Sequence, residues 1–211
     1  MSKKDDLSNT IFRIMSETFL EYVDYDASLT ESEIKDNFIK FVDKATRNGF
    51  YISTDYTENL LKKARSFFDE KELYLSSLFY ATYFEHQINY LISGVCNRKK
   101  ISTKDVIQIL REIPFRAKCS WLLKILDLNP VAPEHLKIMA QVFEVRNSFV
   151  HYKWQCYNMD SHDSEKEESK IFKILNEAEK SVRYLKRRIN KNIHQDKKRA
   201  VKLLFKTPES N

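Results

Sequence analysis

Glycine is nearly absent from this chain, which contains two glycines and four prolines in 211 residues. Tight β-hairpins need residues that adopt positive φ, and phosphate-binding loops need glycines that let the backbone approach the phosphate. A chain with so little glycine can form few structures of either kind. Because apolar residues also recur at helical spacing, we predict an all-α protein.

Seven helical segments follow from the apolar periodicity and from the capping residues. They cover residues 8–24, 31–47, 57–91, 102–113, a stretch that begins at Pro114, 134–152 and 168–205. The segment 57–91 can be one helix or a pair. We expect residues 1–55 to form an N-terminal helical extension, residues 56–205 an up-and-down helical bundle, and residues 206–211 a tail.

The cysteine pattern and the lengths of the apolar runs indicate in which cellular compartment the protein is located. Cys96, Cys119 and Cys156 are an odd number, widely spaced and without a Cys-x-x-Cys pair. This pattern argues against a disulfide framework or a zinc ribbon and indicates reduced thiols. The first residues contain no apolar leader, and no apolar run reaches the roughly 18 residues needed to span a bilayer. We therefore predict a cytoplasmic protein that is not inserted in a membrane.

Three polar side chains interrupt the most apolar part of the predicted helix 134–152. The stretch FEVRNSFVHYKW, residues 143–154, carries Arg146, Asn147 and His151 among aromatic and β-branched residues. Burying such groups is costly unless each one has a partner. Asn147 and His151 are four residues apart and share a helix face, whereas Arg146 lies about 140° from His151. The three residues therefore form either a structural network or a site.

A carboxylate lies in a second apolar stripe. In the segment LYLSSLFYATYFEHQINYLI, Glu85 falls among residues that are spaced as one helix face. Carboxylates are seldom buried without a cation, and Arg146 is the arginine with a similarly apolar setting. We therefore predict that Glu85 contacts Arg146. The alternative is that Glu85 lies at the margin of the stripe and reaches water.

Positive charge is concentrated near the C-terminus. Residues 171–211 contain 12 Lys or Arg and 4 Asp or Glu, a net charge of +8 in a chain of +6. One interpretation is a solvated last helix, and the other is a contact surface for RNA or DNA. If the segment is a contact surface for RNA or DNA, the predicted phosphate-binding residues are Arg183, Arg187, Arg188, Lys197 and Lys198. No His, Cys, Asp or Glu cluster has metal-ligand spacing, so no metal or cofactor is expected.

The motif RNSFVH, residues 146–151, resembles the R-x(4–6)-H signature of the HEPN superfamily, a group of all-helical bundles. The acid within ATYFEHQINYLI and the order of long, short, motif and last helices are also similar to that family, over residues 57–205. The resemblance implies an HEPN-like bundle, metal-independent RNA cleavage, and a homodimer whose motif helices meet at the dimer axis. It also implies a setting in host defence, toxin–antitoxin systems or RNA processing.

The resemblance also implies a role for each polar residue of the motif. His151 would be the acid–base group, since histidine titrates near neutral pH, and Arg146 would bind the phosphate through its planar fork. Asn147 would orient both, with Glu85 in support. Family members silenced by nucleotide addition carry a tyrosine two residues after the histidine. Lys153 stands there in this chain, so control by tyrosine modification is not expected, and Lys153 can contact a flanking phosphate or face water.

The sequence thus predicts an endoribonuclease that cleaves RNA through the 2′-hydroxyl at a composite site of a homodimer, in a defence or toxin-type setting. A regulatory protein or antitoxin would be a further partner. The alternatives are a catalytically silent HEPN-like scaffold and a plain helical RNA-binding module. The presence of all three polar motif residues favours the enzyme, since a scaffold needs none of them.

Overall fold

The computed structural model describes residue 19 and residues 29–48, 56–150 and 161–194. Every regular element in these ranges is helical, which confirms the all-α prediction. The helices are α1 (Glu31–Asn48), α2 (Thr57–Asp69), α3 (Leu73–Arg98), α4 (Thr103–Glu112), α5 (Phe115–Ala117), α6 (Leu123–Ile125), α7 (Pro133–Val150) and α8 (Ser161–Ile189). A π-helical turn, Lys118–Leu122, joins α5 to α6, and a second, Asn190–His194, follows α8. The predicted helix 8–24 lies outside the described residues except for Phe19.

Side-chain caps explain where two of the helices begin. Thr30 and Glu33 form a capping box before α1, in which Thr30 Oγ1 accepts from the Glu33 amide at 3.4 Å and Glu33 Oε2 accepts from the Thr30 amide at 2.8 Å. Ser102 Oγ accepts from the Asp105 amide at 3.2 Å and caps α4. Both helices therefore begin where the sequence predicts.

Three helix ends place a residue other than glycine in the left-handed region. Lys71 after α2, Lys100 after α3 and Asp127 after α6 have φ of 62°, 59° and 59°. Glycine usually takes such positions because it has no Cβ. The turn at Lys71 also divides the predicted segment 57–91 into the pair α2 and α3.

Helix α2 runs antiparallel to α8. The rings of Phe68 and Phe172 stack with their centroids 4.9 Å apart, which joins the end of α2 to the first half of α8. Glu58, in the first turn of α2, accepts a hydrogen bond from Lys186 Nζ at 2.7 Å, close to the end of α8. These two contacts fix the register of the pair.

Helix α7 runs antiparallel to α3. Tyr74, near the start of α3, stacks on Phe149, near the end of α7, with ring centroids 5.7 Å apart. At the opposite end of α3, Lys99 forms an ion pair of 2.6 Å with Asp127, which precedes α7. Helices α2, α3, α7 and α8 therefore alternate in direction and form an up-and-down bundle.

Helix α3 lies at the centre of this bundle and contacts α2, α7 and α8. It is apolar around its circumference, as expected of a helix that is covered on several sides. Its buried residues are Leu73, Ser76, Ser77, Tyr80, Ala81, Tyr83, Phe84, Ile88, Leu91, Ile92, Val95 and Cys96. No helix in the described part of the chain, α3 included, combines the length and apolarity needed to cross a bilayer.

The segment from α5 to α6 buries a cation and exposes large apolar side chains. Lys118 is 2% exposed, whereas Trp121 is 48% and Ile125 66% exposed. The π-helical turn between them is wider than an α-helical turn and shifts the faces on which later residues lie. The Val131 amide donates to the Cys119 carbonyl at 2.8 Å and fastens this turn to the chain that leads into α7.

Candidate functional site

Arg146 and Asn147 lie near the C-terminal end of α7 and contact each other. Arg146 Nη1 donates to Asn147 Oδ1 at 2.9 Å, and Arg146 Cζ lies 5.7 Å from the centre of the Phe143 ring. Both polar side chains are half-buried. The amide of Asn147 and the ring of Phe143 therefore hold the guanidinium in one orientation.

The guanidinium of Arg146 has donors that the described residues of the chain do not use. An arginine offers five N–H donors, and its hydrogen bond to Asn147 engages one of them. Arg146 Nε is buried and donates to no acceptor. A buried donor without an acceptor costs about 1–3 kcal/mol. An acceptor from outside the described residues, such as an anion, can reach the remaining Nη donors of this guanidinium and not its buried Nε.

Two aromatic pairs flank this arginine. The Phe115 and Phe143 rings lie 4.3 Å apart between their centroids, and the Tyr74 and Phe149 rings 5.7 Å apart. Val150, the next residue, is 42% exposed. The end of α7 therefore presents a charged group beside an apolar surface that is partly open to solvent.

Four residues of the predicted site lie outside the part of the chain that the structure describes. These are His151, Lys153, Lys197 and Lys198. That Asn147 and His151 share one face of a helix therefore stays a prediction. Helix α7 is described up to Val150, the residue directly before His151.

Glu85 does not form the predicted ion pair with Arg146. Its Oε1 lies 3.9 Å from Lys118 Nζ, and the Glu85 side chain is 38% exposed. The stacking of Tyr74 on Phe149 fixes a register in which Arg146 lies about two helical turns from Glu85. The prediction was wrong because it matched the two residues by type, without knowledge of this register. The alternative, a carboxylate at the margin of the stripe that reaches water, describes Glu85 better.

Lys118 is the buried cation that the sequence analysis missed. Its Nζ donates to Asn89 Oδ1 at 2.9 Å, in addition to the longer contact with Glu85. Burial lowers the pKa of Lys118, and the Glu85 carboxylate opposes this effect. The only sequence signal is a lysine within the apolar segment FRAKCSWLLKIL, and the π-helical turn that directs it inward cannot be read from that pattern.

Two predicted phosphate-binding residues, Arg183 and Arg187, are exposed on one face of α8. Arg187 Nε donates to the Arg183 carbonyl at 3.3 Å, which keeps the two side chains side by side. Lys180 and Lys191 are exposed on the same face, at spacings of three and four residues. We call these four residues the basic stripe.

Arg188 is engaged inside the fold and lies off the basic stripe. Its Nη1 donates to the Pro130 carbonyl at 2.9 Å and to Tyr184 Oη at 2.8 Å, and its Nη2 donates to the Asn129 carbonyl. The Tyr184 ring in turn stacks on His135 at 4.2 Å. These contacts tie α8 to the turn before α7, so Arg188 no longer belongs with the predicted phosphate-binding residues.

An open groove of about 510 Å³ lies between α7 and the first half of α8. It is lined by Gln141, Glu165, Lys166, Ser169, Lys170, Lys173 and Ile174. Three of these residues are lysines, so the groove is cationic. The sequence does not predict this groove, because it is formed by the packing of two helices. The predicted last helix also begins near residue 168, whereas α8 begins at Ser161.

No family model, curated protein or solved structure matches this chain. Among the residues that the structure describes, no group of His, Cys, Asp and Glu is arranged to hold a metal ion. The features of the described residues that bear on function are the Arg146–Asn147 pair, its surroundings and the basic stripe.

Proposed function

We propose that the protein is a metal-independent endoribonuclease of the HEPN type, which cleaves RNA through the 2′-hydroxyl. The observation that carries this proposal is the Arg146–Asn147 pair at the end of α7, four residues before His151. A guanidinium that is oriented by an amide and retains free donors is suited to two oxygens of one phosphate. Arg188, by comparison, makes three hydrogen bonds within the fold, whereas Arg146 makes one to the described residues.

The proposed reaction gives each residue a defined role. His151 removes the proton of the 2′-hydroxyl, the 2′-oxygen attacks phosphorus, and the bond from phosphorus to the 5′-oxygen breaks. The products are a 2′,3′-cyclic phosphate and a 5′-hydroxyl, whose oxygen receives a proton from a second histidine. Arg146 stabilises the charge that develops on the other phosphate oxygens, while Asn147 holds the guanidinium in place.

A homodimer follows from the need for two proton-transfer groups. The motif offers one histidine per chain, whereas an acid and a base are required on opposite sides of the phosphate. We propose that a two-fold axis brings two motif helices around one RNA strand. The exposed Val150, beside the stacked Tyr74 and Phe149, is a suitable surface for such an isologous contact.

The positive surface of α8 supports the choice of RNA as substrate. Lys180, Arg183 and Arg187 of the basic stripe and the lysines of the groove lie on this helix, and Lys191 lies in the π-helical turn that follows it. Phosphate contacts of this kind position a nucleic acid and carry no sequence information. A regulatory protein or antitoxin and a defence or toxin-type role belong to the same proposal and depend on the family resemblance alone. A cytoplasmic location, also proposed, depends on the cysteine pattern.

The proposal is tested by incubating the purified protein with end-labelled RNA in the presence of EDTA. We expect cleavage that leaves 2′,3′-cyclic phosphate ends and that 2′-deoxy substitution at the cleaved nucleotides prevents. Arg146→Ala and His151→Ala should each reduce the rate by roughly 10²–10⁴-fold. Arg98→Ala is the matched control, because Arg98 is exposed at the end of α3 opposite to Tyr74.

Three outcomes would overturn the assignment. Cleavage at the wild-type rate by both Arg146→Ala and His151→Ala would remove these residues from catalysis. RNA binding by the wild-type protein without any cleavage would favour the RNA-binding module, and absence of both would favour the silent scaffold.

A further inference from the structure

Within one turn of the α5–α6 segment, a charged side chain is buried and a large aromatic side chain is exposed. Lys118 is 2% exposed, whereas Trp121, three residues later, is 48% exposed. Lysine is among the residues least often buried, while an aromatic side chain has a large apolar surface to bury. Single exposed apolar side chains are ordinary, but Ile125 lies one turn after Trp121 and is 66% exposed. The two side chains form an apolar strip on one face of a helix.

Only positive charges lie beside this strip within its own segment. Arg116 and Lys124 are exposed, and residues 115–126 contain no Asp or Glu. The acids that flank the segment are Glu112, at the end of α4, and Asp127, which forms an ion pair with Lys99 at 2.6 Å. We call Arg116, Trp121, Lys124 and Ile125 together the Trp121 face. Tryptophan and arginine are the residues most enriched among those that dominate the energy of protein interfaces.

The charge of the Trp121 face limits what can cover it. A symmetric contact with a second copy of the chain would bring Arg116 and Lys124 towards their own counterparts, and like charges oppose such a contact. Single-stranded RNA could stack a base on Trp121. However, Ile125, the more exposed of the two apolar side chains, offers neither an aromatic surface nor a hydrogen bond to RNA.

We propose that the Trp121 face docks an acidic amphipathic helix of a partner protein. Apolar residues spaced four apart on that helix would pack on Trp121 and Ile125, as in other complexes in which a helix binds a groove or face. Acidic residues beside them would lie opposite Arg116 and Lys124. No residue of the proposed RNA-cleaving site belongs to this face, so the inference does not depend on the proposed function.

The experiment uses Trp121 as its own reporter. The chain has two tryptophans, so the full-length Trp154→Phe variant leaves Trp121 as the only one. The probe is a synthetic helical peptide with leucines at i, i+4 and i+7 and glutamates on both flanks. The same peptide with lysine in place of every glutamate and a single-stranded oligouridylate are the comparisons. Binding is followed by the emission of Trp121 and by its dependence on salt.

We expect the acidic peptide to shift the emission to shorter wavelengths, to saturate, and to bind more weakly as salt screens the charges. Ile125→Asp and Lys124→Glu should each weaken this binding by about tenfold or more. Ile39→Asp is the matched control, because Ile39 is 62% exposed on α1. Both test positions are exposed, so circular dichroism should show an unchanged fold.

Three results would overturn the inference. Equal binding of the acidic and basic peptides would remove the role of charge, and absence of binding by the acidic peptide would remove the docking surface. Quenching of Trp121 by oligouridylate, without any effect of the acidic peptide, would assign the face to RNA instead.

Discussion

The guanidinium of Arg65 and the carboxylate of Glu179 form two parallel hydrogen bonds, of 2.8 and 2.9 Å, which join α2 to α8 across 114 residues of chain. Tyr80 Oη donates a third, of 2.8 Å, to the same carboxylate. Glu179 therefore connects α2, α3 and α8 through one side chain. Burial, followed by the hydrogen bond to Glu179, raises the pKa of Tyr80, so its hydroxyl remains a donor.

We expect Glu179 to make the stability of the bundle depend on acid. Hydrogen bonds from Arg65 and Tyr80 lower the pKa of this carboxyl against the opposing effect of burial. A carboxyl whose folded-state pKa lies below its unfolded value contributes stability at neutral pH and loses it as the pH falls below the ordinary 4.5. Glu179→Gln should therefore lower the free energy of unfolding at pH 7 by about 1–2 kcal/mol, since Arg65 is half-exposed.

Thermal unfolding at a series of pH values provides the measurement. The variant and the wild type should converge as the pH falls below 4.5. Glu177→Gln is the control, because Glu177 pairs with Lys180 at the surface of the same helix. A difference between Glu179→Gln and the wild type that stays constant with pH would contradict the expected role of the carboxylate.

Replacing Lys118 with methionine should stabilise the protein. The ammonium is buried, with a short hydrogen bond to Asn89 and a 3.9 Å contact to the half-exposed Glu85. An apolar side chain of similar volume removes the desolvation penalty of the ammonium and, because Glu85 is partly exposed, leaves no buried carboxylate unpaired, so we expect a gain of about 1 kcal/mol. Because the folded-state pKa of Lys118 is lowered, the advantage of the variant should shrink as the pH rises towards 10.5.

Urea unfolding of Lys118→Met, with the exposed Lys124→Met as control, gives this free energy directly. A destabilised Lys118→Met would mean that the contacts of the ammonium hold the α5–α6 segment in place. In that case the Trp121 face should also change its exposure, which acrylamide quenching of tryptophan emission would detect.

Substitution of the α8 arginines should affect either RNA affinity or stability, depending on the residue. Arg183 and Arg187 belong to the basic stripe, whereas Arg188 is bonded to the turn before α7. We expect the double variant Arg183→Gln/Arg187→Gln to bind single-stranded RNA with a weaker salt dependence. The slope of log affinity against log salt concentration should fall by about 1.4, or 0.7 per lost contact. Thermal stability should be unchanged. Arg188→Gln should instead lower the melting temperature, and an unchanged salt slope in the double variant would assign the stripe to solubility.

A mixed dimer tests whether the proposed site is composite. One chain carries His151→Ala and the other is intact, so a single histidine is present at the axis. If each cleavage needs two histidines, activity per dimer should fall well below half of the wild-type value. Activity near half would mean that each chain works alone. Val150→Asp should dissociate the dimer and abolish cleavage together, as sedimentation and the same RNA assay would show.

The sequence predicted the helices better than it predicted their contacts. Local signals, such as the capping box at Thr30 and Glu33, depend on neighbouring residues and are visible in the chain. The partner of Glu85 depends on the register between α3 and α7 and on a π-helical turn, and both are set by packing of the whole bundle. Arg188 illustrates the same limit, because a basic residue in a basic segment gives no sign that backbone carbonyls have taken its donors.

The left-handed residues Lys71, Lys100 and Asp127 have a thermodynamic consequence. Glycine at these ends would relieve roughly 1 kcal/mol of steric strain each, yet it would also return backbone freedom to the unfolded chain. A chain with two glycines therefore has an unusually stiff denatured ensemble. Calorimetry should show this as a smaller entropy of unfolding per residue than in a helical protein of ordinary glycine content.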